Sequence, residues 1–273
     1  MKHLLIICAV AIGSTPALAA PVSVTPVVSD AELSLLAGSA DWRDRQRAAL
    51  ARAWQVDGDA AAALMRLAPG TTRAGGPRFV LPARDAGTTA VLLDRFLRME
   101  DGELVRAALL DALVRTDGEW APGVAAAFTS EASAEVRVVM VEVLRRQPEA
   151  LAAPVLRAAA KDADAAVREA SARSMGWTED PAWAPQLRQA LGDTDAGVRS
   201  AAARALGWVG AVDAWPALVT ATGDTDADVR RRAVRAMARL DAARAAEEPA
   251  VRALHTDPDA KVARAARQVS GNP

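Results

Sequence analysis

Cysteine, histidine and tyrosine are scarce or absent in this chain of 273 residues, which has one cysteine, two histidines and no tyrosine. Cys8 and His3 both lie in the first residues, which we expect to be removed from the mature protein. Without a thiol there is no disulfide, no thiolate nucleophile and no cysteine ligand for zinc. A Ser-His-Asp triad could use only His255. We therefore predict no catalytic residue, no cofactor and no metal, and we expect a non-enzymatic protein.

An excess of positive charge is also missing, because 33 basic residues face 34 acidic ones and the formal net charge is −1. Nucleic-acid-binding proteins need basic surfaces that neutralise phosphates, so we expect no nucleic-acid partner. Beyond the N-terminus no apolar run approaches the roughly 20 residues that a membrane-spanning helix needs. We therefore predict no membrane span.

The N-terminus has the pattern of a secretory signal peptide. A basic start is followed by the apolar run Leu4 to Ile12, and small residues at Ala17 and Ala19 fit a signal peptidase site. We predict cleavage after Ala19 and a periplasmic or secreted protein in a bacterium. Residues 1–19 would be the signal peptide and residues 20–29 a flexible segment, followed by a repeat domain over 30–270 and a tail at 271–273.

A Val-Arg pair recurs at intervals of 31 residues, and such a strict period is typical of stacked repeats. Apolar or small residues follow most of these valines at four and eight positions, as in Val198, Ala202 and Leu206, which makes one face of a helix. Prolines mark the predicted start of a second helix, where the first N–H groups have no helical partner. These prolines are Pro154, Pro185, Pro216 and Pro249. Each unit is therefore predicted as helix A, a turn, helix B and a turn.

An acid stands six residues before each arginine of the series. The pairs are Glu100 and Arg106, Glu131 and Arg137, Asp162 and Arg168, Asp193 and Arg199, and Asp224 and Arg230, with Asp41 and Arg47 further upstream. Together with the pattern of Asp195 to Gly207, they resemble HEAT repeats, particularly the short type found in phycobilisome lyases. The resemblance implies an all-α, armadillo-like fold, a right-handed α-solenoid of about seven helix pairs. It also implies that the acids and arginines form a structural ladder of hydrogen bonds between successive repeats.

Aspartates at alternate positions, as in Asp193 and Asp195, could instead be calcium ligands. No bidentate glutamate follows at the required distance, and the first acid already has an arginine to bind. We favour the structural interpretation, in which the second acid caps helix A.

Two departures from regularity are visible. In the last unit Val262 is followed by Ala263 where arginine is expected, which we interpret as a C-terminal cap. Between Arg47 and Arg106 one helix A is missing, and its place is taken by a loop at 69–87 rich in glycine and proline. Arg73, Arg78 and Phe79 of this loop are candidates for partner binding, although we favour a plain excursion with Phe79 packed into the core.

Seven tryptophans are unusual in a chain with three phenylalanines. Five of them lie near helix ends, some at the repeat interval, and could line a binding edge or fill gaps between helices, the interpretation that we favour. These are Trp120, Trp177, Trp183, Trp208 and Trp215. On helix B, Arg157 and Arg188 lie 31 residues apart and could receive an acidic peptide, or could be solvated side chains.

The leading functional hypothesis is a helical-repeat scaffold that mediates protein–protein interaction in the bacterial cell envelope. Its protein partner is of unknown identity. The alternative is a phycobilin-lyase-like or other small-ligand-binding protein, and the predicted export argues against the lyase. A DNA-binding repeat fold would need a basic groove, which the charge balance opposes.

Overall fold

The computed structural model describes residues 68–71, 77–80, 86–99, 102–114, 116 and 118–271. The chain divides into two compact units, Met1–Val124 and Ala125–Pro273. Several predictions fall outside the described residues, namely the signal peptide, the segment 20–29, Asp41, Arg47, Arg73, Glu100 and the end of the tail.

The first unit contains a hairpin and a helix pair. Strands β1 (Ala68–Thr71) and β2 (Pro77–Val80) are antiparallel, with Ala68 opposite Val80 and Thr71 opposite Pro77. Helices α1 (Ala86–Arg98) and α2 (Glu103–Leu113) follow and pack together, and the division between the units falls within α3 (Ala121–Ala127). The buried core of this unit includes Leu92, Phe96, Leu109, Leu110 and Leu113.

The segment 69–87 differs from the loop that the sequence predicts. It contains most of the hairpin, and its last two residues, Ala86 and Gly87, already belong to α1. Glycine and proline oppose a helix, and Phe79 and Val80 are residue types that favour strands. The described residues of β1 and β2 are thus non-helical, as predicted, but they are paired and not irregular.

The second unit alternates A and B helices as predicted. The A helices are α4 (Ala134–Leu144), α6 (Ala165–Trp177), α8 (Ala196–Trp208), α10 (Ala227–Leu240) and α13 (Ala260–Val269). The B helices are α5 (Glu149–Ala159), α7 (Ala184–Ala190), α9 (Trp215–Ala221) and α12 (Pro249–Ala253), and the short α11 (Ala242–Glu247) precedes α12. Short 3-10 turns at Phe128–Ser130, Pro181–Trp183, Val212–Ala214 and Leu254–Thr256 connect several of them.

Aspartate side chains cap the N-termini of four of the A helices. The Oδ1 atom of Asp195 accepts a hydrogen bond from the N–H of Val198 at 3.1 Å, which confirms the predicted cap. Asp164, Asp226 and Asp259 accept equivalent bonds from the first turns of α6, α10 and α13. The Asp-x-Asp sequence therefore fixes where each of these helices begins.

Small residues let neighbouring A helices approach closely. The repeated valines Val136, Val167, Val198, Val229 and Val262 are all buried. A methyl group on Gly176 would lie 2.8 Å from Cβ of Ala205, and one on Gly207 would lie 2.9 Å from Cα of Ala236. No real Cβ tolerates such distances, so the two glycines set the separation of α6 from α8 and of α8 from α10.

The prolines and the last repeat show two differences from the predicted pattern. Pro185, Pro216 and Pro249 lie in the first turn of their B helices, but α5 begins at Glu149, so the prediction is wrong for Pro154, which lies inside the helix. In the last repeat α11 adds a helical turn before helix B, which accounts for the longer spacing to Asp257.

None of the helices in the described ranges has the length and apolarity to cross a membrane.

Candidate binding site along the A helices

Four arginines of the second unit connect each repeat to the next. Each donates from Nε and Nη2 to the two carboxylate oxygens of an aspartate in the following repeat, at 2.7–2.9 Å. Its Nη1 donates to the backbone carbonyl of the acid six residues before it. The bridges join Arg137 to Asp162, Arg168 to Asp193, Arg199 to Asp224 and Arg230 to Asp257. The arginine therefore binds the backbone of its own repeat and the side chain of the next.

These bridges control the charge state of the aspartates. Hydrogen bonds from the arginines lower the pKa of the Asp193, Asp224 and Asp257 carboxyls. Burial opposes ionisation of Asp162, but the bonds from Arg137 and from the N–H of Asp164 outweigh it and lower the pKa of Asp162. Both oxygens of each carboxylate are thus bound by a guanidinium, as the structural interpretation of the Asp-x-Asp turns expects.

Arg106 and Glu131, two earlier members of the predicted ladder, are both buried. In the first unit Arg106 is only 5% exposed, and its guanidinium lies 4.9 Å from the centroid of the Phe96 ring. In the second unit Glu131 is buried and accepts a hydrogen bond from the N–H of Ser133 at 2.9 Å. Both side chains are therefore part of the scaffold in their units.

Three of the five candidate tryptophans are buried. Trp120, Trp183 and Trp215 are 3–5% exposed, and Nε1 of Trp215 donates to Glu248 at 3.1 Å. Arg157 lies 5.3 Å from the ring centroid of Trp183, and Arg244 lies 4.1 Å from that of Trp215. A buried ring cannot reach a partner, so these three tryptophans are core residues, in line with the interpretation that the sequence favours.

The other two tryptophans form an accessible pair at the carboxyl ends of α6 and α8. Trp177 is 56% exposed and meets Trp208 edge-on, with ring centroids 5.6 Å apart and an interplanar angle of 75°. Arg145 lies 5.1 Å from the ring centroid of Trp177, and Arg204 lies 4.1 Å from that of Trp208. We call these four residues the Trp–Arg cluster. It presents aromatic surface and positive charge side by side, which suits recognition of a protein segment.

A groove of about 260 Å³ runs beside this cluster and shares Arg204 with it. Its floor is the first half of α8, where Ala196, Gly197, Ser200 and Ala201 are small. Its walls carry longer side chains, which are Glu169 and Arg173 on α6, Asp226 just before α10, and Asp228 and Arg232 on α10. The groove forms because the small side chains of α8 lie between the longer side chains of α6 and α10.

Most charges in the groove are already paired. Arg173 donates to Glu169 at 2.9 Å and to Glu142 of α4 at 3.2 Å. Asp228 accepts a hydrogen bond from Oγ of Ser200 at 2.8 Å and also binds Arg231, and Arg232 lies 3.5 Å from it. Asp226 caps α10. Among the described residues, Arg204 has no carboxylate within ion-pair distance.

The helix-B arginines are less suited to receive an acidic partner. Arg188 pairs with Asp213, and Arg252 pairs with Glu247. Arg157 is exposed and lies over Trp183. Arg78 and Phe79 lie in β2, where the structure describes the backbone but not these side chains. None of these candidates belongs to the Trp–Arg cluster.

The groove itself was not predicted from the sequence, although a signal for part of it exists. Arg173 and Trp177 repeat as Arg204 and Trp208 after 31 residues, and in both pairs the tryptophan lies four positions after the arginine. Residues four apart lie on the same face of a helix, so this repeated pair could have indicated the surface. Arg145, from a different repeat position, carries no such signal.

The helical repeats of this chain match a known protein family. The model for HEAT repeats matches residues 121–206 and 184–271, which together make up more than half of the sequence. The chain belongs to the HEAT-repeat family. No curated protein matches it.

Several solved structures resemble this HEAT-repeat chain at low sequence identity. Escherichia coli YibA is 15% identical with a TM-score of 0.56, over 89% of this chain and 93% of YibA. A designed armadillo repeat protein in complex with the peptide (KR)4 is 15% identical with a TM-score of 0.48, over 66% and 97%. The CpcE–CpcF complex of phycocyanin lyase from Nostoc sp. PCC7120 is 17% identical with a TM-score of 0.35, over 94% and 99%. At 15% identity the similarity to YibA shows a shared helical-repeat fold and nothing more.

Proposed function

We propose that this protein is a non-enzymatic HEAT-repeat scaffold that binds a protein partner in the bacterial cell envelope. The observation that carries the proposal is the exposed Trp177 ring, edge-on to Trp208 and flanked by Arg145 and Arg204. Tryptophan and arginine dominate the energetics of protein interfaces, and a tryptophan that is more than half exposed represents apolar surface that a partner would bury.

The rigidity of the surrounding helices supports the same role. The ladder holds successive repeats through paired hydrogen bonds, and Gly176 and Gly207 keep the A helices in close contact. A surface that is already ordered loses little conformational freedom on binding, so more of the contact energy appears as affinity. The right-handed sense of the solenoid and its total of about seven helix pairs stay predictions.

A small-molecule role receives less support from the groove. Pockets that enclose drug-sized ligands typically have volumes of about 300–1,000 Å³ and predominantly apolar walls. The groove has about 260 Å³ and is lined by six charged side chains. It suits one side chain of a partner better than a tetrapyrrole.

Export and partner binding are tested together by capture from the envelope. The chain is expressed with its signal sequence and a C-terminal tag, crosslinked in intact cells, and its partners are identified by mass spectrometry. The Trp177→Ala, Trp208→Ala double variant removes the aromatic pair, and Val212→Ala changes another exposed apolar residue of the same unit as a control.

Recovery of the same partner with the native chain and the control, and its loss with the double variant, supports the proposal. Equal recovery with all three chains contradicts the assignment of the surface. Absence of any reproducible envelope partner, with the tagged chain retained in the cytoplasm, contradicts the function and the localisation.

A further inference from the structure

Arg204 is the residue of the groove whose charge is not matched by its surroundings. In the described part of the chain the other two groove arginines, Arg173 and Arg232, have carboxylates within 2.9–3.5 Å. Arg204 instead lies against the Trp208 ring, with its Cζ atom 4.1 Å from the centroid. An aromatic ring holds a guanidinium in place but leaves its N–H donors able to bind an anion.

The neighbouring arginines raise the electrostatic potential at this point. Burial and the charges of Arg232 and Arg173 lower the pKa of Arg204. Arginine stays protonated at neutral pH, so the shift reflects burial first and then repulsion from these two groove arginines. An anion bound at Arg204 would relieve that repulsion.

The walls limit how much negative charge the groove accepts. Glu169 and Asp228 stand on opposite sides of it, and Asp226 lies at one end. A dianionic phosphate would bring a second charge against these carboxylates, whereas a single carboxylate matches the one unpaired guanidinium. The volume of about 260 Å³ admits a side chain but not a bulky headgroup.

The aromatic pair lies next to the same guanidinium. Arg204 lines the groove and contacts Trp208, and Trp208 contacts Trp177, so a chain bound along α8 would pass from the groove to the tryptophans. A peptide with an acidic residue beside an apolar one would place the acid in the groove and the apolar residue on the tryptophans.

We propose that the groove between α6, α8 and α10 binds the carboxylate of a glutamate or aspartate in an extended segment of the partner protein, with Arg204 as its ligand and Trp208 and Trp177 covering the apolar residue beside it. The proposal rests on the proposed function, because it names the chemistry of the partner at the same surface. It differs from the sequence-based suggestion about Arg157 and Arg188, which lie on helix B.

The test uses the chain from Ala20 and, as the probe, a capped eight-residue peptide of serine and alanine that contains one glutamate followed by one leucine. Binding is followed by NMR through the Arg204 Nε–Hε and the Trp208 and Trp177 indole N–H signals, assigned by single substitutions. The same peptide with glutamine in place of glutamate is the neutral control, and inorganic phosphate is a third probe. Arg204→Gln is compared with Arg264→Gln, an exposed arginine of α13.

We expect the glutamate peptide to shift all three signals and to bind at least about tenfold more tightly than the glutamine peptide, because charge-assisted hydrogen bonds are about twice as strong as neutral ones. Arg204→Gln should remove this preference, and Arg264→Gln should keep it. The comparison of the two peptides on the unsubstituted chain needs no variant, so it stands even if Arg204→Gln unfolds.

Equal affinity for the two peptides, a preference that survives Arg204→Gln, or tighter binding of phosphate would each overturn the inference. If both peptides shift the indole signals equally, the aromatic pair still binds a protein segment and only the carboxylate assignment fails. If neither peptide perturbs the groove, the inference fails, and envelope capture with the tryptophan variants decides the proposed function separately.

Discussion

The guanidinium of Arg199 binds both carboxylate oxygens of Asp224, which lies 25 residues further along the chain and in the next repeat. The same arginine donates to the backbone carbonyls of Asp193 and Thr194 in its own repeat. One side chain therefore holds two repeats in register, and the side chains of this pair are only 13–15% exposed.

Arg199→Ala should destabilise the protein by about 2–3 kcal/mol. An exposed pair contributes below about 1 kcal/mol, and breaking a buried pair costs about 3–5 kcal/mol, so a largely covered pair lies between. Urea unfolding followed by circular dichroism measures the change. Arg239→Ala, an exposed residue on α10, is the matched control, and an equal loss for both variants would show that the ladder does not stabilise the fold.

Acid should remove the contribution of Asp224. Its pKa is lowered by the hydrogen bond from Arg199, so the folded state releases this proton more readily than the unfolded chain. The stabilisation is complete above the ordinary pKa of 3.8 and is lost as the pH falls through the lower folded value. The melting-temperature difference between the native chain and Asp224→Asn should therefore be large at neutral pH and shrink below this point.

For that experiment the control is Glu149→Gln, an exposed acid at the start of α5. Its melting temperature should follow that of the native chain over the same range. A difference for Asp224→Asn that stays constant down to the lowest pH would contradict the assigned direction of the pKa shift.

Gly207→Ala should destabilise the contact between α8 and α10. The added methyl group would lie 2.9 Å from Cα of Ala236, and a backbone atom cannot move aside as a flexible side chain can. Overpacking of this kind costs about 1–3 kcal/mol. Gly223→Ala, where the nearest atom to the new methyl is at 3.5 Å, should change the stability little. Similar unfolding curves for the two variants would contradict the close approach.

The tryptophans should separate into two classes by stability. Trp215 is 3% exposed and hydrogen-bonded to Glu248, so Trp215→Ala should cost about 3–5 kcal/mol. Trp177 is 56% exposed, and Trp177→Ala should cost only about 1 kcal/mol, the value of an exposed cation–π contact. Thermal unfolding of the two variants measures both values, and a larger loss for Trp177→Ala would reverse the assignment.

The repeat period predicts much of this fold because each position has the same role in every unit. The buried valines, the aspartate caps and the arginine bridges all recur at the period, so four or five copies of each weak signal agree. Pro154 shows the limit of this argument, since the same residue type begins a B helix in three repeats and lies inside α5 in another. The helix boundary there depends on Pro148 and Glu149, which break the pattern.

The binding surface was harder to predict because it depends on differences between repeats. Trp177 and Trp183 are six residues apart, yet one is exposed and the other buried, and composition does not distinguish them. The groove requires small residues on α8 and large ones on α6 and α10 at once. Such a comparison across three helices becomes visible only when their side chains are placed in space.

The arginine and the aspartate of each bridge lie in adjacent repeats, which allows the protein to be lengthened by tandem duplication of one repeat. A second copy of residues 194–224 would carry its own Arg199 and Asp224, and Arg230 would still reach Asp257. At the new junction Gly207 would face a copy of Ala205, the same pairing that Gly176 already makes. An ancestral gene could therefore have been extended one module at a time without evolving a new interface.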